Sequence, residues 1–194
     1  THFGDCPICL LPLSVDGTKS TTMMCCFNMV CRGCALANDQ REVRESLTRK
    51  CPFCRHPIPN SQADIDQCVK KRVESNCPAA LRWVGDECNN KGDFDSAFKY
   101  YTKAAALKDS EAHYQLSLMY YDGRGVEKSV KMEKYHLEEA AIGGHFDARY
   151  NLAVYESDRG NIEIAVKHHI IAASQGEDYA LKTLQKGYRV GQIT

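Results

Sequence analysis

Eight of the eleven cysteines in this 194-residue chain lie between Cys6 and Cys54, in four close pairs. They are Cys6/Cys9 in C-P-I-C, Cys25/Cys26 in C-C-F-N, Cys31/Cys34 in C-R-G-C and Cys51/Cys54 in C-P-F-C. Two cysteines flanking a tight turn offer two thiolates to one metal ion. Zinc takes four such ligands in a tetrahedron with arms of about 2.3 Å. Eight ligands therefore imply two structural zinc ions, and four pairs carry far more weight than one isolated C-x-x-C. The alternative is a disulfide framework, which suits small secreted domains. Cys68, Cys77 and Cys88 are scattered, unlike a bridged scaffold. No signal-peptide pattern is present, and no apolar run approaches the roughly 20 residues of a membrane span. Thiolate-bound zinc in a reducing compartment, cytoplasm or nucleus, is the expectation.

Closed four-ligand sites leave no coordination position for water, so hydrolysis by the metal is not expected. The chain also has no nucleophile elbow, P-loop or HExxH motif. Lys+Arg and Asp+Glu number 25 each, so the formal charge is zero. That balance, with no basic stripe among aromatics, argues against nucleic acid as a partner. Nothing in the pattern suggests a membrane partner either. With 43% hydrophobic and 26% charged residues, the composition is that of an ordinary folded chain.

After the cysteines, His56-Pro57-Ile58-Pro59-Asn60 interrupts regular structure, because proline removes a donor and fixes φ. A short helix is predicted next. Ser61 caps it with Asp64 as the partner carboxylate, and Ile65, Cys68, Val69 and Val73 share one face. Cys68 is expected to be a small buried apolar residue, and the helix to join the cysteine-rich segment to the C-terminal part of the chain.

From residue 77 the chain repeats. A-L-R-W-V-G-D from Ala80 is answered by A-H-Y-Q-L-S-L from Ala112, A-R-Y-N-L-A-V from Ala148 and A-L-K-T-L-Q from Ala180. Each full unit ends its second helix in an alanine pair: Ala104-Ala105, Ala140-Ala141 and Ala172-Ala173. Gly92, Gly123 with Gly125, and Gly160 stand between the helices, where a left-handed turn is needed. Period and hairpin form together predict an α-solenoid. Trp83, Phe98, Tyr114 and Tyr150 are expected in its core, as is Cys88. His168-His169 are adjacent on a helix and do not converge on a metal. Thr1 at the start and an unfinished unit at the end read as a piece of a longer protein.

The order of cysteine pairs and their spacers resembles a RING finger. The resemblance implies a cross-brace: Cys6, Cys9, Cys31 and Cys34 on one zinc, and Cys25, Cys26, Cys51 and Cys54 on the other. The spacer of fifteen residues before Cys25 would be the first loop, and the sixteen between Cys34 and Cys51 would hold a central helix. Common RINGs have a histidine near the position of Asn28; an all-cysteine C4C4 RING has a cysteine where Cys26 stands. Adjacent cysteines tend to diverge, so His56 is a rival for the last ligand place. PHD, LIM and FYVE patterns fit the order of ligands less well.

RING fingers are ubiquitin-ligase modules that bind a ubiquitin-loaded E2 enzyme. By resemblance, Ile8, Pro52 and Leu36 would contact the E2, and Arg55 would bridge E2 and ubiquitin. The repeats resemble Sel1-like repeats, relatives of tetratricopeptide repeats. Tyr120-Tyr121-Asp122-Gly123-Arg124-Gly125-Val126 is the most typical stretch, while Glu133 stands where alanine is usual. The expected fold is thus a small zinc-bound α+β RING domain (1–60), a linker helix (61–76) and an all-α Sel1-like solenoid (77–109, 110–144, 145–176 and a partial unit 177–194). The expected function is a RING-type E3 ligase recruiting an E2 through the finger and a protein substrate or scaffold through the solenoid. The competing class is a non-enzymatic adaptor whose finger is structural.

Overall fold

A computed structural model describes residues 2–14, 18–174 and 178–189. The chain divides into two compact units, Thr1–Ala80 and Leu81–Thr194.

The first unit contains two small antiparallel ribbons. Strand β1 (His2–Asp5) pairs with β2 (Pro12–Ser14), and β3 (Ser20–Met23) pairs with β4 (Asn28–Cys31). In the second ribbon Ser20 faces Cys31 and Met23 faces Asn28, so four residues close the hairpin. Helix α1 (Arg32–Arg44) comes directly after, capped by the Cys31 sulfur, which accepts from the Cys34 N–H. Leu13, Val30 and Cys6 form the buried core, with Met23, Met29, Ala35 and Phe53 packed around it. So few apolar side chains cannot hold a domain of this size by themselves.

Helix α2 (Gln62–Glu74) belongs to the same unit. The Ser61 Oγ accepts from the Asp64 N–H and donates to the Asp64 carboxylate. Ile65, Cys68, Val69 and Val73 share its more covered face, but all are half-buried, Cys68 included. The α2 side chain Arg72 donates from Nε to the Cys25 carbonyl at 2.9 Å, joining the helix to the turn that carries a cysteine pair.

Seven further helices are present among the described residues. They are α3 (Pro78–Asn90), α4 (Phe94–Ala106), α5 (Ser110–Asp122), α6 (Val130–Ile142), α7 (Phe146–Asp158), α8 (Ile162–Ser174) and α9 (Asp178–Arg189). Helix α5 packs on α4 and α6, and α7 on α6 and α8. The alanines at the repeat position, Ala80, Ala112, Ala148 and Ala180, are wholly buried, as are Ala104, Ala140 and Ala172. Without longer side chains between them, helix axes approach closely and stack into an all-α solenoid.

The turn glycines have a steric reason. Gly123 caps α5 in the left-handed region (φ 75°), and its N–H donates to the Met119 carbonyl. A Cβ on Gly125 would lie 2.6 Å from the Phe94 carbonyl oxygen, so the G-x-G of this loop permits contact with the start of α4.

Trp83 departs from the expected core: it is 38% exposed. The positions equivalent to it in the next two units are Gln115 and Asn151. Its place in the repeat faces outward, and helical spacing alone does not distinguish that face. Cys88 is half-buried rather than interior. The largest buried side chain is Tyr101, 1% exposed, donating its hydroxyl to Asp86 at 2.9 Å. Its ring lies over Gly85, where a Cβ would meet ring carbons at 2.7 Å. Gly85→Ala is therefore expected to destabilise the solenoid by roughly 1–3 kcal/mol through overpacking; a denaturant titration measures it.

Two buried histidines join the two helices of the second repeat, and one of them reaches back to the first. The Nδ1 atoms of His113 and His136 are 3.0 Å apart, and the His113 Nε2 lies 3.1 Å from the Ala105 carbonyl. That carbonyl requires a proton on Nε2, so His136 donates from Nδ1 to the bare Nδ1 of His113. Burial, and then the neighbouring imidazole, push His136 down to about 4 from an ordinary 6.5. The unfolded chain thus binds more protons between those values. Stability should be complete above about pH 6.5 and fall as pH drops toward 4. Thermal melts at pH 7 and pH 5 are expected to show a lower midpoint at pH 5.

Candidate functional site

The four cysteine pairs are built by three related turns and one helix start. In the first turn the Cys6 carbonyl accepts from the Leu10 N–H, and the Cys6 N–H donates to the Leu11 carbonyl, both at 2.8 Å. In the last turn the Cys51 carbonyl accepts from the Arg55 N–H at 3.1 Å, and the Cys51 N–H donates to the His56 carbonyl at 2.8 Å. Leu10 and Arg55 both take φ near +57°, a left-handed conformation that costs a side-chain-bearing residue about 1–2 kcal/mol. This closes each turn tightly enough to turn both sulfurs the same way.

The middle turn has the same hydrogen-bond pattern in a different register. The Met23 carbonyl accepts from the Phe27 N–H at 2.7 Å, and Phe27 has φ 58°. Met23 thus occupies the place of Cys6 and Cys51, and Cys26 the place of Cys9 and Cys54. Cys25 is one residue earlier than Cys26, on the turn itself. This local backbone lets adjacent cysteines converge despite the tendency of neighbouring side chains to diverge.

The sulfurs gather in two sets. Cys6, Cys9, Cys31 and Cys34 form one, and Cys25, Cys26, Cys51 and Cys54 the other; within each set all sulfurs lie within 4.8 Å of one another. Cys9 and Cys31 sulfurs are 3.8 Å apart, Cys26 and Cys51 3.7 Å, and Cys25 and Cys54 3.4 Å. A tetrahedron with 2.3 Å arms has edges of about 3.8 Å, whereas a disulfide needs about 2.05 Å. All eleven cysteines are free thiols. His56 is exposed and outside both sets. Asn28 donates from its amide to the Cys26 sulfur at 3.4 Å.

The electrostatics of the sets favour a cation. Burial pushes the Cys6 thiol up, but the N–H groups of Cys31, Cys9 and Ile8 outweigh it and leave it at about 6. Cys34 is pushed up to about 12, by burial and then by the sulfurs of Cys31, Cys9 and Cys6. In the other set, burial and then the sulfurs of Cys54 and Cys51 raise Cys25 strongly. Four thiolates this close cannot all ionise alone. A divalent cation among them removes the repulsion and stabilises the deprotonated ligands. Each set could therefore hold a metal ion.

The residues suggested for the E2 groove are accessible. Ile8 is 44% and Leu36 49% exposed, Arg55 is exposed and Pro52 half-buried. Sequence reasoning did not single out Leu10 and Leu11, both well exposed beside Ile8. Their signal was an apolar pair in the loop after Cys9.

It also missed Glu42. This α1 carboxylate is 1% exposed and accepts from the Lys50 N–H at 2.8 Å and the Asn38 amide at 3.2 Å. Asn38 donates in turn to the Lys50 carbonyl at 3.0 Å. Helix α1 thereby grips both sides of the residue before Cys51.

In the second unit, a family model for the Sel1 repeat matches residues 78–109, 110–145 and 146–177, about half of the chain. The chain belongs to the Sel1 repeat family. The chain is 34% identical over 64 residues, a third of its length, to HcpC of Helicobacter pylori strain J99, a protein provisionally named a beta-lactamase. HcpC of strain 26695 is likewise 34% identical, over 61 residues. The chain spans about a fifth of the length of these relatives. A Sel1 repeat protein from Oxalobacter formigenes superposes with a TM-score of 0.56 at 27% identity, over 62% of this chain and 96% of that one. The c5321 antigen of uropathogenic Escherichia coli shares the fold at 19% identity and the same TM-score, over 80% of this chain and 33% of the antigen. Sel1 repeats are protein-interaction scaffolds. No helix among the described residues is long and apolar enough to cross a membrane.

Proposed function

We propose that this Sel1-repeat protein is a RING-type E3 ubiquitin ligase with two structural zinc ions. Cys6, Cys9, Cys31 and Cys34 would hold one ion, and Cys25, Cys26, Cys51 and Cys54 the other. Bound zinc supplies folding free energy and fixes the loops. The observation that carries the reading is the interleaving of the four cysteine pairs into two thiol sets. It is supported by the accessibility of Ile8, Leu36 and Arg55. Ile8, Pro52 and Leu36 would form the apolar seat of a ubiquitin-loaded E2 enzyme. Arg55, with the planar fork of its guanidinium, would bridge E2 and ubiquitin. The catalysis would be orientation: the thioester is held in one reactive pose instead of many. The Sel1 repeats would bring a protein substrate or scaffold. A set of thiolate ligands fits the reducing cytoplasm or nucleus.

The test is discharge of ubiquitin from a panel of loaded E2 enzymes onto free lysine. The intact, metal-loaded chain should accelerate discharge by at least one E2, and Ile8→Ala should slow it roughly tenfold or more. No acceleration with any E2 would sink the ligase reading. An adaptor with a purely structural finger would then stand in its place. The shifted register of the Cys25-Cys26 turn favours that second reading, because it alters the loop next to the second thiol set.

A further inference from the structure

Position four of the second helix in each Sel1 unit holds Ala97, Glu133 and Ala165. Ala97 and Ala165 are buried, at 0% and 3% exposure. Glu133 replaces that small packing residue, and a groove of about 490 Å³ opens there between α5, α6 and α7. Leu118, Tyr121, Val130 and Val154 give it apolar walls. Tyr121 and Val130 are largely exposed, so they present a surface rather than fill a core.

The charge in this groove is unbalanced. Glu133 and Asp158 line it against one guanidinium, Arg159, which lies over the Tyr155 ring at 3.8 Å. The Glu133 side chain makes no ion pair or hydrogen bond among the described residues. Burial raises its pKa, and the charge of Arg159 pulls it down by less. Asn151 lines the same groove, and its carboxamide is of the kind that pairs with an extended main chain. A half-buried carboxylate amid apolar and aromatic walls is complementary to a cation on a flexible stem.

We propose that this groove binds a peptide segment that inserts an apolar side chain and sets a lysine or arginine against Glu133. The proposal rests on the reading of the repeats as the protein-recruiting half and names the chemistry they select. The second unit's departure from alanine is then its specificity determinant. The repeat's small residue is exchanged for a carboxylate that discriminates basic from acidic partners.

The experiment is selection of a random phage-displayed peptide library on the intact chain, followed by fluorescence anisotropy with the enriched peptides. Enriched sequences should pair a basic residue with an apolar one. Glu133→Ala should weaken them roughly tenfold, the scale of one charge-assisted hydrogen bond. Glu133→Lys should abolish that binding and accept peptides whose basic residue is exchanged for glutamate. Glu133→Ala restores the alanine of the neighbouring units, so its melting temperature should not fall, and lost binding cannot be assigned to unfolding. Enrichment of acidic or uncharged peptides, no enrichment at all, or Glu133→Ala binding at wild-type strength would each overturn the proposal. Peptide binding uses no E2 and lysine discharge uses no peptide, so failure of one reading is seen separately from failure of the other.

Discussion

Removal of metal from the intact chain is expected to unfold the finger and leave the Sel1 repeats folded. Around its cysteine sets, the finger's buried apolar side chains among the described residues are Leu13, Phe27, Val30 and three cysteines. A unit that small depends on its staples. Zinc in finger peptides contributes on the order of 10–16 kcal/mol per ion, as much as the whole stability of a typical domain. Leu10, Phe27 and Arg55 also stand in left-handed backbone within the cysteine turns. The repeats, by contrast, bury alanine, leucine and tyrosine continuously and contain no thiol set among the described residues. Chelation should therefore abolish amide-exchange protection in β3, β4 and α1 while α5 to α8 stay protected. Cys34→Ser should do the same at the first set, and Cys88→Ser, which lies outside both sets, should not. Protection that survives in the finger after chelation would contradict metal-dependent folding.

Removal of the Glu42 carboxylate is expected to have the next largest effect. Glu42→Ala leaves the half-buried Lys50 N–H without its acceptor, while the Asn38 amide keeps only its bond to the Lys50 carbonyl. The loss of a charged acceptor with its partners retained costs roughly 2–3 kcal/mol. Lys50 precedes Cys51, so the loosened loop should also weaken the second thiol set. Competition against a chelator should show one of two ions bound more weakly, the one held by Cys25, Cys26, Cys51 and Cys54. Glu42→Gln keeps one acceptor oxygen and should recover part of the difference. Equal affinities at both sites in Glu42→Ala would mean that the grip on Lys50 does not position the cysteine turn.

Much of the fold is legible because its signals are local. The solenoid could be read from the recurrence of alanine at Ala80, Ala112, Ala148 and Ala180. Close packing of helices demands a small residue at the same point of every unit. The Ser61 cap and the left-handed glycines were equally local, since each satisfies a requirement within its own turn. Trp83 was misplaced because helical spacing shows that a face exists, not which neighbour covers it. Glu42 was invisible for a related reason: its partners, Lys50 and Asn38, become significant only when the chain returns to α1.

By itself, the sequence determined the cysteine pairs, the helical repeat and the odd residue at Glu133. Those are properties of residue type and spacing within a single turn or unit. The tertiary structure alone decided how Met23 shifts the middle turn so that Cys25 and Cys26 face one set, and that His56 stays out. It also decided that Glu133 lines a groove instead of straining a core. Each of these depends on which distant backbone comes to lie within a few ångströms, and short-range spacing does not encode that.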